Sequence, residues 1–300
     1  MLANKYRPKT FDEVTGQEVT VKILKNQLKN NNYSHAMSFI GPSGSGKTTC
    51  ARIFANEIDG EIFEYDCASH NGVADIKEIL DKARIKSLIH EYKVFILDEC
   101  HTLSSAAWPA LLITLEENLP NAIFILCTTD AQKIPNTIIS RVQTYNFLPL
   151  TQAQIFDRLK EICKAENIQI QDDAIDLIAH YSKGSLRQAL TNLDKCIVFG
   201  ELDYNSICKV LNIVTYDLMQ DLTNAIKNSD TKKIIELVDG IYNNGYELHQ
   251  FVKQYLDWVV DNQVVDLMSM LLDLVNDIRY DETPKAIIIA KFITKGGNYV

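Results

Sequence analysis

The chain has no apolar run of about 18 residues, the length needed to cross a bilayer as a helix. Its first ten residues, MLANKYRPKT, hold no apolar core of the signal-peptide kind. Both absences predict a cytoplasmic protein with no membrane contact. The seven cysteines, Cys50, Cys67, Cys100, Cys127, Cys163, Cys196 and Cys208, are scattered, and none forms a CxxC clip. They read as reduced, buried thiols. Internal repeats and low-complexity stretches are also missing. Basic charge is in short supply, with a net charge of −9. A polyanion partner would therefore have to use a local patch, because the overall field repels it. The one basic region is residues 1–50, with seven Lys/Arg against three Asp/Glu.

What is present is ordinary globular material: 300 residues, 46% hydrophobic and 23% charged, enough for two or three domains. Residues 1–150 alternate helical and strand patterns. Helical periodicity runs over Val19–Leu28, Thr48–Ile58, Val73–Ile89 and Ala106–Glu117. Short apolar runs predict buried strands at Ala36–Ile40, Ile62–Tyr65, Lys93–Leu97 and Ala122–Cys127. Strands alternating with helices imply a parallel sheet covered on both faces. After Pro149 only amphipathic helices remain: Thr151–Asn167, with Thr151 as its N-cap, then Asp172–Tyr181 and Ser185–Phe199. Tyr216–Asn228, Thr231–Asn243, Tyr246–Val260 and Val265–Arg279 follow. The expected division is 1–150 as an α/β domain, 151–211 as a small helical domain, and 212–300 as an all-α domain.

Gly41-Pro42-Ser43-Gly44-Ser45-Gly46-Lys47-Thr48 fits the phosphate-loop pattern in full. Glycines let consecutive N–H groups turn inward onto phosphate oxygens. Lys47 would reach the β and γ phosphates, the Thr48 hydroxyl would ligate Mg²⁺, and the helix that follows adds its positive end. Lys93–Leu97 then delivers Asp98 and Glu99 at a strand's carboxyl end, where ligands sit in open α/β sheets. Asp98 would join the Mg²⁺ shell, and Glu99 would take a proton from the attacking water. The next apolar strand ends at Thr128-Thr129-Asp130, which puts a hydroxyl between these two motifs. Ile139-Ser140-Arg141 and Gly184-Ser185-Leu186-Arg187 each offer a guanidinium, whose planar fork suits a phosphoryl group. His101 reads as a neighbour of Glu99 that packs without catalysing. Trp108 and the Leu111, Leu112 and Leu115 stripe read as core.

Taken in order, these motifs resemble the AAA+ clamp-loader ATPases, above all the bacterial DNA polymerase III gamma/tau subunits. The resemblance is carried by Lys5-Tyr6-Arg7-Pro8 with Phe11 and Val14-Thr15-Gly16-Gln17, then by GPSGSGKTT at Gly41–Thr49 and ARIFA at Ala51–Ala55. Asp98-Glu99 with His101, LLITLEE at Leu111–Glu117, TTDAQKIPNTIISR at Thr128–Arg141 and GSLRQAL at Gly184–Leu190 complete it. It is dense over residues 4–210 and fainter beyond. It implies that Tyr6, Arg7 and Pro8 border the adenine, with Gly41–Thr49 and Asp98 completing the site for ATP and Mg²⁺. Thr129 would be the first nucleotide sensor and Arg187 the second, reaching from a helical lid. Arg141 would be an arginine finger acting on a neighbouring subunit's ATP.

The all-α domain would be a collar that closes subunits into a ring, expected to be a pentamer. The implied function is an ATP-driven motor that opens a sliding clamp and places it on primer–template DNA, serving a DNA polymerase indirectly. Lys77 falls where the family carries a DNA-contacting basic residue. Two departures stand out. Ala51–Lys93 contains only Cys67, so the family's four-cysteine zinc module is missing and no zinc is expected. Val142 stands where the family's Ser-Arg-Cys triplet has Cys. Two other readings stay open: a different DNA-acting AAA+ ATPase, for branch migration or replication restart, and a non-catalytic clamp-loader subunit.

Overall fold

A computed structural model describes every residue except Asn118, Pro120, Tyr280 and 298–300. The chain separates into two compact units, Met1–Asp194 and Lys195–Val300.

The first unit is built on a parallel sheet of five strands: β1 (Ala36–Ile40), β2 (Gly60–Asp66), β3 (Tyr92–Asp98), β4 (Ala122–Thr128) and β5 (Gln143–Asn146), in the order β2-β3-β4-β1-β5. The four predicted strands are present, each extended by a residue or more at one or both ends except β1, whose bounds agree. β5 was not expected. Its residues, Gln-Thr-Tyr-Asn, are polar, only Tyr145 is buried, and as an edge strand it pairs with β1 alone. The helices are α1 (Glu18–Lys29), α2 (Lys47–Glu57), α3 (Val73–Arg84) and α4 (Ala107–Glu117) around the sheet. Then come α5 (Gln152–Ala165), α6 (Asp172–Tyr181) and α7 (Leu186–Phe199), which contains the boundary between the units.

Strand periodicity sorts the two cores. Val94 and Ile96 lie in one apolar cluster with Leu24 of α1 and Ile53 and Phe54 of α2. Phe95 and Leu97 lie in the other, with Ile76 and Ile79 of α3 and Trp108, Leu111 and Leu115 of α4. Successive strand residues point to opposite faces, so Asp98 continues the Val94–Ile96 face toward α2. Helix α3 stops at Arg84, five residues short of the expected end. The Ser87 hydroxyl accepts from the His90 N–H at 3.2 Å, so a local side-chain bond competes with the helical ladder. Ile85, Leu88 and Ile89, which mimic a continued apolar stripe, are exposed. Thr151 caps α5 as expected, in a reciprocal pair with Gln154: the Gln154 N–H donates to Thr151 Oγ1 at 3.2 Å and the Thr151 N–H donates to Gln154 Oε1 at 3.0 Å.

The second unit contains α8 (Tyr204–Leu211), α9 (Tyr216–Lys227), α10 (Thr231–Asn243), α11 (Leu248–Asp261), α12 (Val265–Asp277) and α13 (Pro284–Gly297). Its core gathers Leu222, Ile234, Phe251, Tyr255, Leu271 and Phe292. α8 and α13 were not foreseen. α13 carries the β-branched run Ile287-Ile288-Ile289, which weakens a helical reading. No described helix is long and apolar enough to cross a membrane. All seven cysteines are buried and unpaired, and burial pushes the Cys50 and Cys67 thiols up to about 12.

Candidate nucleotide site

The loop between β1 and α2 needs backbone angles that only glycine adopts freely. Gly44 has φ +75° and Gly46 has φ +103°. A Cβ on Gly44 would come within 2.0 Å of Ser185 Oγ, just ahead of α7, so this loop leaves room for no larger residue there. Gln17, buried and itself at φ +62°, braces the loop: its amide donates to Leu148 O at 2.7 Å and to Ser45 O at 3.3 Å. Lys47, only 5% exposed, donates from Nζ to the carbonyls of Gly41 (2.8 Å) and Pro42 (3.0 Å). Burial lowers its pKa, partly offset by the charges of Glu99 and Asp98.

The acidic pair lies opposite the loop. Thr48 Oγ1 donates to Asp98 Oδ2 at 2.9 Å, joining the first turn of α2 to the end of β3. Glu99 leaves the strand in the left-handed region, φ 48° and ψ 41°, which turns its side chain away from the strand's regular alternation. Its Oε2 accepts from Thr129 Oγ1 at 3.0 Å and lies 3.3 Å from His101 Nδ1. His101 Nδ1 is also 3.1 Å from Thr128 Oγ1. The ends of β3 and β4 thus hold one carboxylate between them.

A cavity of about 230 Å³ collects these groups. It is lined by Tyr6, Arg7 and Pro8 of the N-terminal segment, by Ser43–Thr49, by Asp98 and Glu99, and by Arg187 of α7. Gly41 and Pro42 stand outside the lining and act through the carbonyls that hold Lys47. Thr129 also stands outside it, one hydrogen bond away through Glu99. Arg141 follows a one-turn helix, Asn136–Ile139, and is away from the cavity. Its guanidinium pairs with Glu116 at 2.6 Å and donates to Thr137 O at 2.9 Å. Lys77 is exposed on α3. Val14, Thr15, Leu150, Leu190 and Thr191 line the cavity although the sequence reading assigned none of them to the site. Glu166 had given no signal either. It accepts a hydrogen bond from the Tyr6 hydroxyl and pairs with Lys5 at 2.5 Å, tying the N-terminal segment to the end of α5.

The set fits a magnesium nucleotide. Hard oxygen donors, the Thr48 hydroxyl and the Asp98 carboxylate, already converge, and the glycine loop opens onto the N-terminus of α2. Among the described residues no three His, Cys, Asp or Glu side chains cluster as metal ligands do.

The sheet order and the loop-to-strand geometry are those of an AAA+ module. Solved structures of Thermotoga maritima RuvB share that fold: the Holliday junction branch migration motor has a TM-score of 0.58 and 23% identity, covering 74% of this chain and 80% of that one. Two family models match: "DNA polymerase III, delta subunit" over residues 60–151 and "DNA polymerase III clamp loader subunit, ATPase lid domain" over residues 154–202. Among curated proteins the chain is 32% identical to DNA polymerase III subunit tau of Bacillus subtilis, over 93% of this chain and 54% of that protein. It is 35% identical to the gamma/tau subunit of Mycoplasma genitalium, over 83% and 46%. It is 29% identical to the gamma subunit of Buchnera aphidicola, over 94% and 83%. Over more than four fifths of its length the chain is thus similar to members of the DNA polymerase III gamma/tau clamp-loader family. It spans about half the length of the first two of these relatives.

Proposed function

We propose that the chain is an ATP-hydrolysing motor subunit of a sliding-clamp loader. The observation that carries this reading is the convergence of Lys47, the Thr48–Asp98 pair, the Glu99–Thr129 pair and Arg187 on one cavity, within a chain similar to members of this family. Backbone N–H groups of the loop and Lys47 would hold the phosphates, Lys47 exchanging two carbonyl partners for phosphate oxygens. Thr48 and Asp98 would hold magnesium, which offsets phosphate charge when bound. Glu99 would take the proton of the attacking water. One of its oxygens is occupied by Thr129, so the other is the one that reaches the water, and Thr129 fixes the direction in which it points. Arg187 would answer the charge that develops on the phosphoryl group, from the same chain.

In the same reading Arg141 serves the neighbouring subunit's ATP and Tyr6, Arg7 and Pro8 enclose the nucleotide. The working division is 1–150, 151–211 and 212–300, the last forming a collar in a pentameric ring. The assembly acts in the cytoplasm on a sliding clamp and primer–template DNA, with Lys77 contributing a DNA contact, and works without zinc.

The test is turnover in the assembled loader with clamp and primed DNA. Glu99→Gln should lower ATP hydrolysis at least a hundredfold while ATP binding stays within about threefold of wild type. Undiminished hydrolysis, or a wild-type chain that neither turns over ATP nor supports clamp loading, would overturn the motor assignment.

A further inference from the structure

We propose that Arg7 grips the phosphate chain of the nucleotide, making with Lys47 and Arg187 a three-cation clamp, rather than bordering the adenine. The proposal rests on the ATP reading above and changes what one of its residues recognises.

The chain has seven arginines. Arg52, Arg84, Arg141 and Arg158 each ion-pair with a carboxylate. Arg7 and Arg187 make no side-chain hydrogen bond or ion pair among the described residues, and both line the same cavity as Lys47. Burial, and then the neighbouring guanidiniums of Arg52 and Arg187, push the Arg7 pKa down, so these positive groups stand close enough to repel. The carboxylate that attracts Arg7, Glu64, is already taken: Arg52 holds it from Nε and Nη2, both at 2.6 Å. Of the two carboxylates in the lining, Asp98 meets Thr48 and Glu99 meets Thr129, and neither is paired with Arg7.

A half-buried guanidinium beside two others, with no carboxylate paired to it, is stabilised by an anion that enters from outside. A polyphosphate supplies one, and the planar fork of arginine matches its oxygens. The base has other surfaces available, since Pro8, Val14, Leu150, Leu186 and Leu190 give the same cavity an apolar lining.

The experiment separates phosphate from base by competition against a fluorescent ATP analogue on the full chain. The competitors are ATP, adenosine and inorganic tripolyphosphate. Arg7→Gln should weaken ATP and tripolyphosphate roughly tenfold or more and leave adenosine within about twofold. Arg7→Lys, which keeps the charge without the fork, should restore part of the tripolyphosphate affinity. Loss of adenosine affinity with tripolyphosphate unchanged would assign Arg7 to the base and overturn the clamp. Equal loss of all three, with no rescue by lysine, would mean a packing role and overturn it too. A wild-type chain that binds none of the three would sink the ATP reading itself, before any variant is compared.

Discussion

Between Met1 and Asp194 some of the buried polar side chains, Gln17, Ser45 and Lys47, stand around one cavity or the loop that lines it. Between Lys195 and Val300 their counterparts join helices to each other. Gln254 of α11 accepts from the Val214 N–H at 2.9 Å and donates to Asn212 O at 2.9 Å, and Thr223 of α9 meets the Tyr255 hydroxyl of α11 at 2.8 Å. In the first unit Glu99 takes a left-handed conformation at the cavity, and Arg7 and Arg187 have no side-chain hydrogen bond or ion pair among the described residues. In the second, aromatic rings stack on one another around Tyr255. Local deviations of the first kind mark sites that bind or react. The second unit has left-handed residues too, but Asn212, Ser229 and Gln263 stand at helix ends, where they close turns.

The sharpest way to break that contrast is to damage the second core and watch the first unit. Phe292 is fully buried in α13 and meets the Tyr255 ring edge-on at 5.9 Å. Phe292→Ala should cost about 3–5 kcal/mol of stability, read by chemical denaturation. ATP affinity measured under native conditions should not change. A matching loss of ATP affinity would show that the two units are not separable in function.

The reverse experiment is somewhat smaller in free energy and falls on the other side. Lys47→Ala removes a buried cation whose hydrogen bonds, among the described residues, go to two loop carbonyls. Turnover should fall by about 10²–10³, with denaturant stability held near wild type or raised, because burial already penalises that charge. A large loss of stability would make Lys47 a structural residue.

The same contrast explains what could be read from sequence. The phosphate loop was legible because its backbone demands glycine at fixed spacing, and Gly44 and Gly46 hold the positive φ that the pattern requires. Asp98 was legible because four buried apolar strand residues, Val94 to Leu97, lead directly to it. α8 was missed because it is eight residues long, giving too few turns for a period to stand out. β5 was missed because only one of its side chains is buried. The Arg7 environment could not be read at all. It depends on Arg52, Arg187 and Glu64 arriving from α2, α7 and β2, and no local spacing encodes that meeting. Glu166 was invisible for the same reason, 160 residues from its partner Tyr6.

That Glu166 contact gives the smallest expected effect and the finest test of how the N-terminal segment is held. Hydrogen bonds from Lys5 and then Tyr6 hold the Glu166 carboxyl below its ordinary value of 4.5. A carboxyl depressed in the folded state stabilises above its unfolded pKa, and the contribution is lost as pH falls through the lower folded value. Lys5, raised by the same bond, behaves in the opposite sense: its share is complete at neutral pH and disappears only as pH rises through its raised value, beyond 10.5. The difference in melting temperature between wild type and Glu166→Gln should therefore be flat from about pH 8 to about pH 5. It should shrink toward zero in more acid solution. The groups are at the surface, so the difference should be small and should diminish with added salt. A difference that persists unchanged into strong acid would mean that Glu166 contributes by shape and not by charge, and the N-terminal segment would then owe its place to the Leu2 N–H, which donates to Asp194 at 2.8 Å.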